Sequence, residues 1–206
     1  MTRRTLFVGV SAAAVGCLAV TAAADILNSK HNFAPFGWSD NQICLPCHTP
    51  HFADTTVNAP LWNHELTTAT VTLFDGSTGA AQDVLDSRTV LCMSCHDGTV
   101  ALDSFGGNSG SQFITGGLIG TDLQDDHPVG AAAIYPTDPW VTWFVPPADW
   151  EDVIHGMTLQ DLEVAGEMER VVSCTSCHEP HKRGGNEYML WKDNTGSDLC
   201  LTCHIK

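Results

Sequence analysis

Eight of the nine cysteines in this 206-residue chain belong to four copies of one short pattern, Cys-x-x-Cys-His. The copies are residues 44–48, 92–96, 174–178 and 200–204. Cysteines three positions apart lie on the same side of one helical turn, so both thiols can attach to one planar group. The histidine that follows them then lies beneath that group as a metal ligand. This combination is typical of covalent attachment of haem c.

Other uses of paired cysteines fit this pattern less well. Zinc ribbons also contain Cys-x-x-Cys pairs, but zinc does not require a histidine directly after each pair. A thioredoxin-like pair occurs once in a βαβ setting, and a disulfide framework does not order its cysteines so regularly. The sequence therefore predicts four covalently bound haem c groups. The attachment residues are Cys44, Cys47, Cys92, Cys95, Cys174, Cys177, Cys200 and Cys203, and the proximal iron ligands are His48, His96, His178 and His204.

The remaining histidines indicate what binds the opposite face of each iron. Besides the proximal ligands, the chain contains His31, His51, His64, His127, His155 and His181. Six candidates for four positions predict bis-histidine ligation of all four haems. Methionine is the competing axial ligand and raises the reduction potential, but methionines are few and Met93 lies inside an attachment motif. Irons closed on both faces bind no substrate, so we expect an electron-transfer protein and no enzyme.

Two of these candidates follow a proximal ligand by three residues. His51 follows His48, and His181 follows His178, each directly after a proline. Axial ligands approach an iron from opposite faces of a broad porphyrin, which two side chains so close in sequence cannot straddle. We therefore expect His51 and His181 to serve haems other than those attached beside them, which brings haems into close contact. The alternative is that each only caps a turn after its proline.

The other candidates differ in their surroundings. His127 follows Asp125 and Asp126, whose carboxylates are expected to hold its second ring nitrogen. His31 lies near the start of the chain that follows residue 24, where a free end can wrap onto a distant haem. His64 is the main substitute for one of the distal ligands, and His155 is expected at the surface.

The segments between the motifs show little periodicity. Residues 67–72 are rich in threonine and predict a short strand, with a turn at Asp75-Gly76. Residues 104–120 predict a loop, residues 135–150 an extended segment and residues 151–169 a helix. Such a chain makes a poor core by itself, and haem supplies the missing apolar mass. We therefore expect a multihaem cytochrome c fold, mostly coil with short helices and few strands, wrapped round a chain of four closely packed haems.

Residues 1–24 have the features of a secretory signal peptide: a basic start, an apolar run and three alanines before Asp25. A twin-arginine signal is disfavoured, because haem is attached to c-type cytochromes after an unfolded chain has crossed the membrane. Lipidation of Cys17 is the remaining alternative. We expect residues 25–206 to form a single tetrahaem domain.

The chain after this segment is strongly acidic. Once Arg3 and Arg4 are removed, the remaining 7 basic residues face 24 acidic ones, a formal charge of −17. Such a surface repels nucleic acid and anionic membranes. No later segment is long and apolar enough for a transmembrane span. We expect other redox proteins or extracellular electron acceptors as partners.

The chain resembles the tetrahaem c-type cytochromes that polymerise into extracellular nanowires, the OmcE-like filaments. The resemblance extends over most of the chain after residue 24 and rests on residues 30–32, 44–51, 60–63, 91–99, 125–128, 174–181 and 199–204. In these proteins the haems form one continuous chain along a helical filament, and one axial histidine is donated to a haem of the neighbouring subunit. The resemblance implies that His51 is the donated ligand here. It also favours His31, His127 and His181 over His64 and His155.

Three functions follow as hypotheses. The resemblance implies a homopolymeric filament, extracellular or on the cell surface, that conducts electrons to an external acceptor such as a mineral or another cell. The alternative is a soluble monomeric tetrahaem shuttle in the periplasm. A multihaem enzyme, such as a nitrogen-oxide reductase, needs an iron with an exchangeable position, often marked by a departure from Cys-x-x-Cys-His. None of the four copies departs from it.

Overall fold

The computed structural model describes residues 25–57, 59–138, 142–151 and 156–206. The predicted signal peptide, the alternative lipidation at Cys17 and His155 lie outside these residues. Most of the described chain is irregular, as predicted, and none of its helices is long and apolar enough to cross a membrane. The α-helices are α1 (Ala81–Val84), α2 (Ser87–His96), α3 (Cys174–Cys177) and α4 (Cys200–Cys203). Single 3-10 turns are Ile26–Asn28, Gly37–Ser39, Gly130–Ala133, Pro147–Asp149, Glu187–Met189 and Thr195–Ser197.

The first hairpin confirms the predicted strand and turn. Strand β1 (Thr70–Thr72) pairs antiparallel with β2 (Thr78–Ala80), and Val71 lies opposite Gly79. The strand is shorter than residues 67–72 because Thr67 turns inward and is fully buried. Gly76 has a φ of 82°, a left-handed conformation that glycine adopts at little cost.

The second hairpin shows that the predicted helix at residues 151–169 is wrong. Strand β3 (Gln160–Val164) pairs antiparallel with β4 (Glu167–Val171). The two residues between them, Ala165 and Gly166, have φ values of 54° and 88°. Positive φ at both positions of a two-residue loop matches the twist of the flanking strands. Burial alternates along β3 with a period of two residues, which is the period of a strand. Our prediction of a helix did not recognise this period in the sequence.

Two apolar clusters position the attachment motifs. The first consists of Val71, Leu73, Ala81, Leu85, Val90, Met93 and Leu123, and the second of Tyr135, Trp150, Met157, Leu159 and Leu199. Met93 lies between the two cysteines of its motif, so the first cluster anchors that motif. Cys177 and Cys203 pack against the second cluster, which therefore holds the last two motifs.

Two irregular segments join these parts. The predicted loop at residues 104–120 contains no helix or strand. The predicted extended segment at residues 135–150 is not extended throughout, since it includes the 3-10 turn at Pro147–Asp149. Residues 139–141 lie outside the described part of that segment. Its two ends meet in the second cluster, where the rings of Tyr135 and Trp150 pack edge to face at 5.5 Å.

Candidate haem-binding site

Each attachment motif forms one turn that places both cysteines on the same side, as the spacing predicted. In three motifs the amide of the histidine donates to the carbonyl of the first cysteine: His48 to Cys44 at 2.8 Å, His178 to Cys174 at 3.0 Å, and His204 to Cys200 at 2.9 Å. The remaining motif forms the C-terminal end of α2. A peptide hydrogen bond four residues long is the unit of the α-helix.

Buried polar contacts lock the second and third motifs together. The carboxylate of Asp86 caps α2 by accepting from the amides of Arg88 and Thr89, both at 3.1 Å. The same oxygen accepts from Ser173 Oγ at 3.0 Å, and Ser173 begins the capping box of α3. The hydroxyls of Thr89 and Ser173 lie 3.1 Å apart. One buried carboxylate thus fixes where the two helices that carry these attachment motifs begin.

The attachment sites, numbered 1 to 4 in chain order, form a row. Burial raises the pKa of Cys95 to about 12, and the nearby Cys47 thiol of site 1 adds to the rise. A close interaction between the thiols of Cys92 and Cys174 raises the pKa of Cys92 and lowers that of Cys174, which places sites 2 and 3 side by side. Burial likewise raises the pKa of Cys177 to about 11, with Cys203 of site 4 as the next cause. Sites next to each other in sequence are therefore neighbours in space.

Three proximal histidines each face a second histidine. The ring centres lie 6.1 Å apart for His48 and His181, 6.1 Å for His96 and His31, and 6.2 Å for His204 and His127. A ligating imidazole nitrogen lies about 2 Å from its metal, so two imidazoles on opposite sides of one iron have centres about 6 Å apart. The three pairs therefore fit sites 1, 2 and 4 as bis-histidine irons. When bound, haem iron supplies a one-electron ferric/ferrous couple.

The ring nitrogens are oriented for this role. Nδ1 donates to a backbone carbonyl in His48 (Pro60, 2.8 Å), His96 (Gly117, 2.6 Å), His127 (Pro128, 3.0 Å) and His178 (Tyr188, 2.9 Å). Such a bond fixes the tautomer and leaves Nε2 as the ligating atom. In His127 the acceptor is the Pro128 carbonyl, so our expectation that Asp125 or Asp126 holds that nitrogen is wrong. The carbonyl of the next residue is within reach of the ring without any change in the backbone.

His181 is held by a carboxylate instead. Its Nδ1 lies 3.0 Å from Glu179 Oε1, and its amide donates to the same oxygen at 3.2 Å. Burial by itself raises the pKa of Glu179, but hydrogen bonds from the Arg183 and His181 amides and the His181 ring outweigh it, and the net pKa is lowered.

The same turn also lies close to His31, the histidine that faces His96, because the Pro180 carbonyl interacts with its ring. Burial, followed by the neighbouring His96, lowers the pKa of His31 and favours the neutral ring that binds metal.

His64, the expected substitute ligand, lies between backbone carbonyls and faces no proximal histidine among the described residues. Its Nδ1 lies 2.8 Å from the Glu65 carbonyl and its Nε2 lies 3.1 Å from the Ala101 carbonyl. The residue is 4% exposed, and burial lowers the pKa of its ring. A neutral imidazole donates from one nitrogen only, so one of these carbonyls accepts its hydrogen bond and holds His64 beside site 2, where Cys95 Sγ lies 3.6 Å from Nε2.

Site 3 differs from the others. His178 borders a cavity of about 160 Å³ together with Cys174, Cys177, Val172 and Met93. His127 borders the same cavity, but its ring is paired with that of His204, and no described histidine ring is paired with that of His178. His51 is exposed. Its backbone contacts the Thr49 hydroxyl, whereas its ring makes no hydrogen bond within the described chain.

Sequence reasoning missed Glu179. A signal was present, because Glu179 and Thr49 are the corresponding residues of the two Cys-x-x-Cys-His-x-Pro-His segments. A charged residue in one segment and a neutral one in the other marks them as different. Sequence alone did not reveal that the carboxylate is buried against the following histidine.

Comparison with known proteins agrees with the cofactor class. The family described as doubled CXXCH motif matches residues 168–206, which contain the last two attachment motifs. This pairing indicates a multihaem c-type cytochrome with covalently bound haem c, a class whose members typically carry electrons. No curated protein matches the chain significantly. Among the described residues, no group of three or more His, Cys, Asp or Glu side chains is arranged to hold a metal ion by itself.

Proposed function

We propose that this chain is the subunit of an extracellular filament that conducts electrons through four c-type haems, with His51 of each subunit ligating haem 3 of its neighbour. Here haems 1 to 4 are those at sites 1 to 4. The resemblance to filament-forming cytochromes supports this proposal. So does the row of attachment sites, because electrons pass efficiently only between closely spaced centres.

One observation carries the proposal. Sites 1, 2 and 4 each have two facing histidines within one chain, whereas His178 at site 3 has one ligand too few among the described residues. His51, by contrast, is a candidate ligand without an iron. Its ring is exposed, and it cannot bind the iron of haem 1 from the opposite face because it follows the proximal ligand His48 by only three residues. An unpaired iron and an unpaired histidine in every subunit satisfy each other when subunits assemble head to tail. Such a heterologous contact extends into a filament.

The surroundings of His51 support a contact surface there. Phe52 is fully exposed and Leu61 is 52% exposed, and both adopt left-handed backbone conformations with φ values of 59° and 58°. The amide of Thr49 donates to the Leu61 carbonyl, so the two segments lie side by side. Large apolar side chains held outward in an unfavourable conformation are typical of an interaction site. Near His178, Tyr188 is 75% exposed and offers an aromatic surface to receive them.

The test combines microscopy with spectroscopy of the purified haem-loaded protein. We expect wild-type protein to form filaments in which every haem is low-spin. His51→Ala is expected to leave subunits unassembled, with about one quarter of the iron high-spin, since haem 3 alone loses its second ligand. Added imidazole is expected to restore the low-spin spectrum without restoring filaments.

His155→Ala is the matched control, because His155 is the remaining candidate for a ligand within the chain. We expect it to leave both filaments and spectrum unchanged. A monodisperse wild-type monomer with only low-spin haem would contradict the filament and favour the soluble monomeric shuttle. Loss of the low-spin spectrum in His155→Ala would show the same.

A further inference from the structure

The two Cys-x-x-Cys-His-x-Pro-His segments present their last histidine in different ways. In the first, Thr49 Oγ1 donates to the backbone carbonyl of His51 at 2.9 Å, and the exposed ring makes no hydrogen bond to the described part of the chain. In the second, Glu179 accepts from the ring of His181 at 3.0 Å. His181 is thereby turned towards its own chain, where its ring faces His48.

The carboxylate of Glu179 is buried and well satisfied. Its side chain is 1% exposed. Besides the two bonds from His181, it accepts from the Arg183 amide, and the Arg183 Nε lies 3.3 Å from Oε1. These donors hold the carboxylate in place, and burial protects its charge from screening by solvent. Arg183 is half-exposed, so its cation offsets the carboxylate only in part.

A charged acceptor on Nδ1 changes the ligand itself. As the carboxylate draws the Nδ1 proton, the imidazole becomes a more basic ligand at Nε2. A more basic ligand stabilises ferric iron relative to ferrous iron and lowers the reduction potential. His48, His96, His127 and His178 donate Nδ1 to neutral backbone carbonyls, which have a weaker effect.

We propose that Glu179 is a positioning residue that holds His181 against haem 1 and lowers the reduction potential of that haem. The proposal rests on the assignment of His48 and His181 to haem 1 in the proposed function, but it does not depend on polymerisation. It places a difference in reduction potential within the row of haems, set by a residue that acts through the His181 ring.

The test is a redox titration of the haem-loaded protein followed by electron paramagnetic resonance (EPR). The planes of His48 and His181 are inclined by 15°, a near-parallel arrangement that gives a rhombic low-spin signal distinct from that of strongly crossed rings. We expect Glu179→Gln, which keeps an acceptor oxygen but removes the charge, to shift this signal to higher potential and leave the others in place. Arg183→Gln is expected to shift it to lower potential, because the carboxylate then loses its partial neutralisation.

Glu187→Gln is the matched control. Glu187 is exposed in the same segment and its carboxylate makes no bond to an iron-binding ring, so its removal is expected to leave the haem 1 potential unchanged. The proposal is overturned by a low-spin Glu179→Gln protein with an unchanged haem 1 potential, or by an equal shift of all four haems. If the Glu179→Gln protein does not acquire its haems, an unchanged or higher haem 1 potential in Arg183→Gln overturns the proposal instead.

A separate variant tests the ligand assignment. His181→Ala is expected to make haem 1 high-spin. A variant in which every haem stays low-spin would refute the assignment of His181 to haem 1, which is a failure of the proposed ligation and distinguishable from a failure of Glu179 to tune it.

Discussion

The imidazole rings of His48 and His181 face each other with their centres 6.1 Å apart and their planes 15° from parallel, although they belong to different attachment segments. His181 follows His178 by three residues and, as the sequence indicated, is directed to another site. The chain therefore crosses from the third attachment motif back to the first. Such crossing keeps the two sites at a fixed separation, which electron transfer between closely spaced haems requires.

The ring angles predict a mixed EPR spectrum of the oxidised protein. The rings of His127 and His204 are inclined by 68°, and those of His31 and His96 by 52°. Near-parallel imidazoles split the iron orbitals strongly and give a rhombic signal, whereas crossed imidazoles give a signal dominated by one large g value. We expect the rhombic signal from haem 1 and the large-g signal from haem 4. A large-g signal that persists in His127→Ala would contradict the assignment.

Replacement of His64 is expected to change stability and leave iron ligation intact. In His64→Ala, the backbone carbonyl that accepts from the ring loses its buried donor, which costs about 1–3 kcal/mol. We expect a lower free energy of unfolding in denaturant titrations, together with an unchanged low-spin visible spectrum. A high-spin band in this variant would mean that His64 is an iron ligand.

Asp86 is expected to couple the second and third attachment motifs. Asp86→Ala removes the cap of α2 and the acceptor of Ser173 Oγ, a loss of about 1–3 kcal/mol in the free energy of unfolding. Asp83→Ala, at an exposed position of α1, is the matched control and is expected to change little. Equal stability of the two variants, measured by denaturant unfolding, would refute this role.

The buried phenol of Tyr135 is expected to make the folded protein less stable in alkali. Burial raises the pKa of its phenol from 10.0 to about 12, and the hydroxyl donates to the Val145 and Cys203 carbonyls, at 2.7 and 3.2 Å. Between these values the folded state keeps a proton that the unfolded chain has lost, so its contribution to stability is complete below pH 10 and falls as pH rises through about 12.

The control is Tyr135→Phe. We expect it to be less stable at neutral pH by about 1 kcal/mol, the value of a typical hydrogen bond. When unfolding is followed from about pH 9 to about pH 12, this variant should also lack the part of the stability loss that ionisation of the phenol causes. An identical decline in both proteins would assign the effect to another group.

The fold could be predicted in outline only. Short elements and long irregular segments follow from composition, and the hairpin at residues 70–80 followed from its threonines and its Asp-Gly turn. Residues 160–171 were misjudged because a short amphipathic stretch fits both a helix and a strand. The left-handed conformations of Ala165 and Gly166, which decide between them, are a property of the folded backbone.

The sequence by itself determined the cofactor class. Attachment of haem c depends on two cysteines and a histidine within one turn, so all the atoms that define it lie in five consecutive residues. It also predicted that His51 and His181 are directed away from their own sites, because a three-residue spacing cannot straddle a porphyrin, and the ring of His181 does face His48. Such local constraints can be read before any folding is considered.

Only the tertiary structure decided which histidines face each other. The partners of His48, His96 and His204 come from distant segments, and a histidine has the same chemistry whether its ring faces an iron or a carbonyl. His64 and His181 illustrate this, since the ring of one lies between two backbone carbonyls and that of the other is held by Glu179 so that it faces His48. The physical reason is that ligation depends on the direction of a ring, and the direction is fixed by contacts that form when the chain folds.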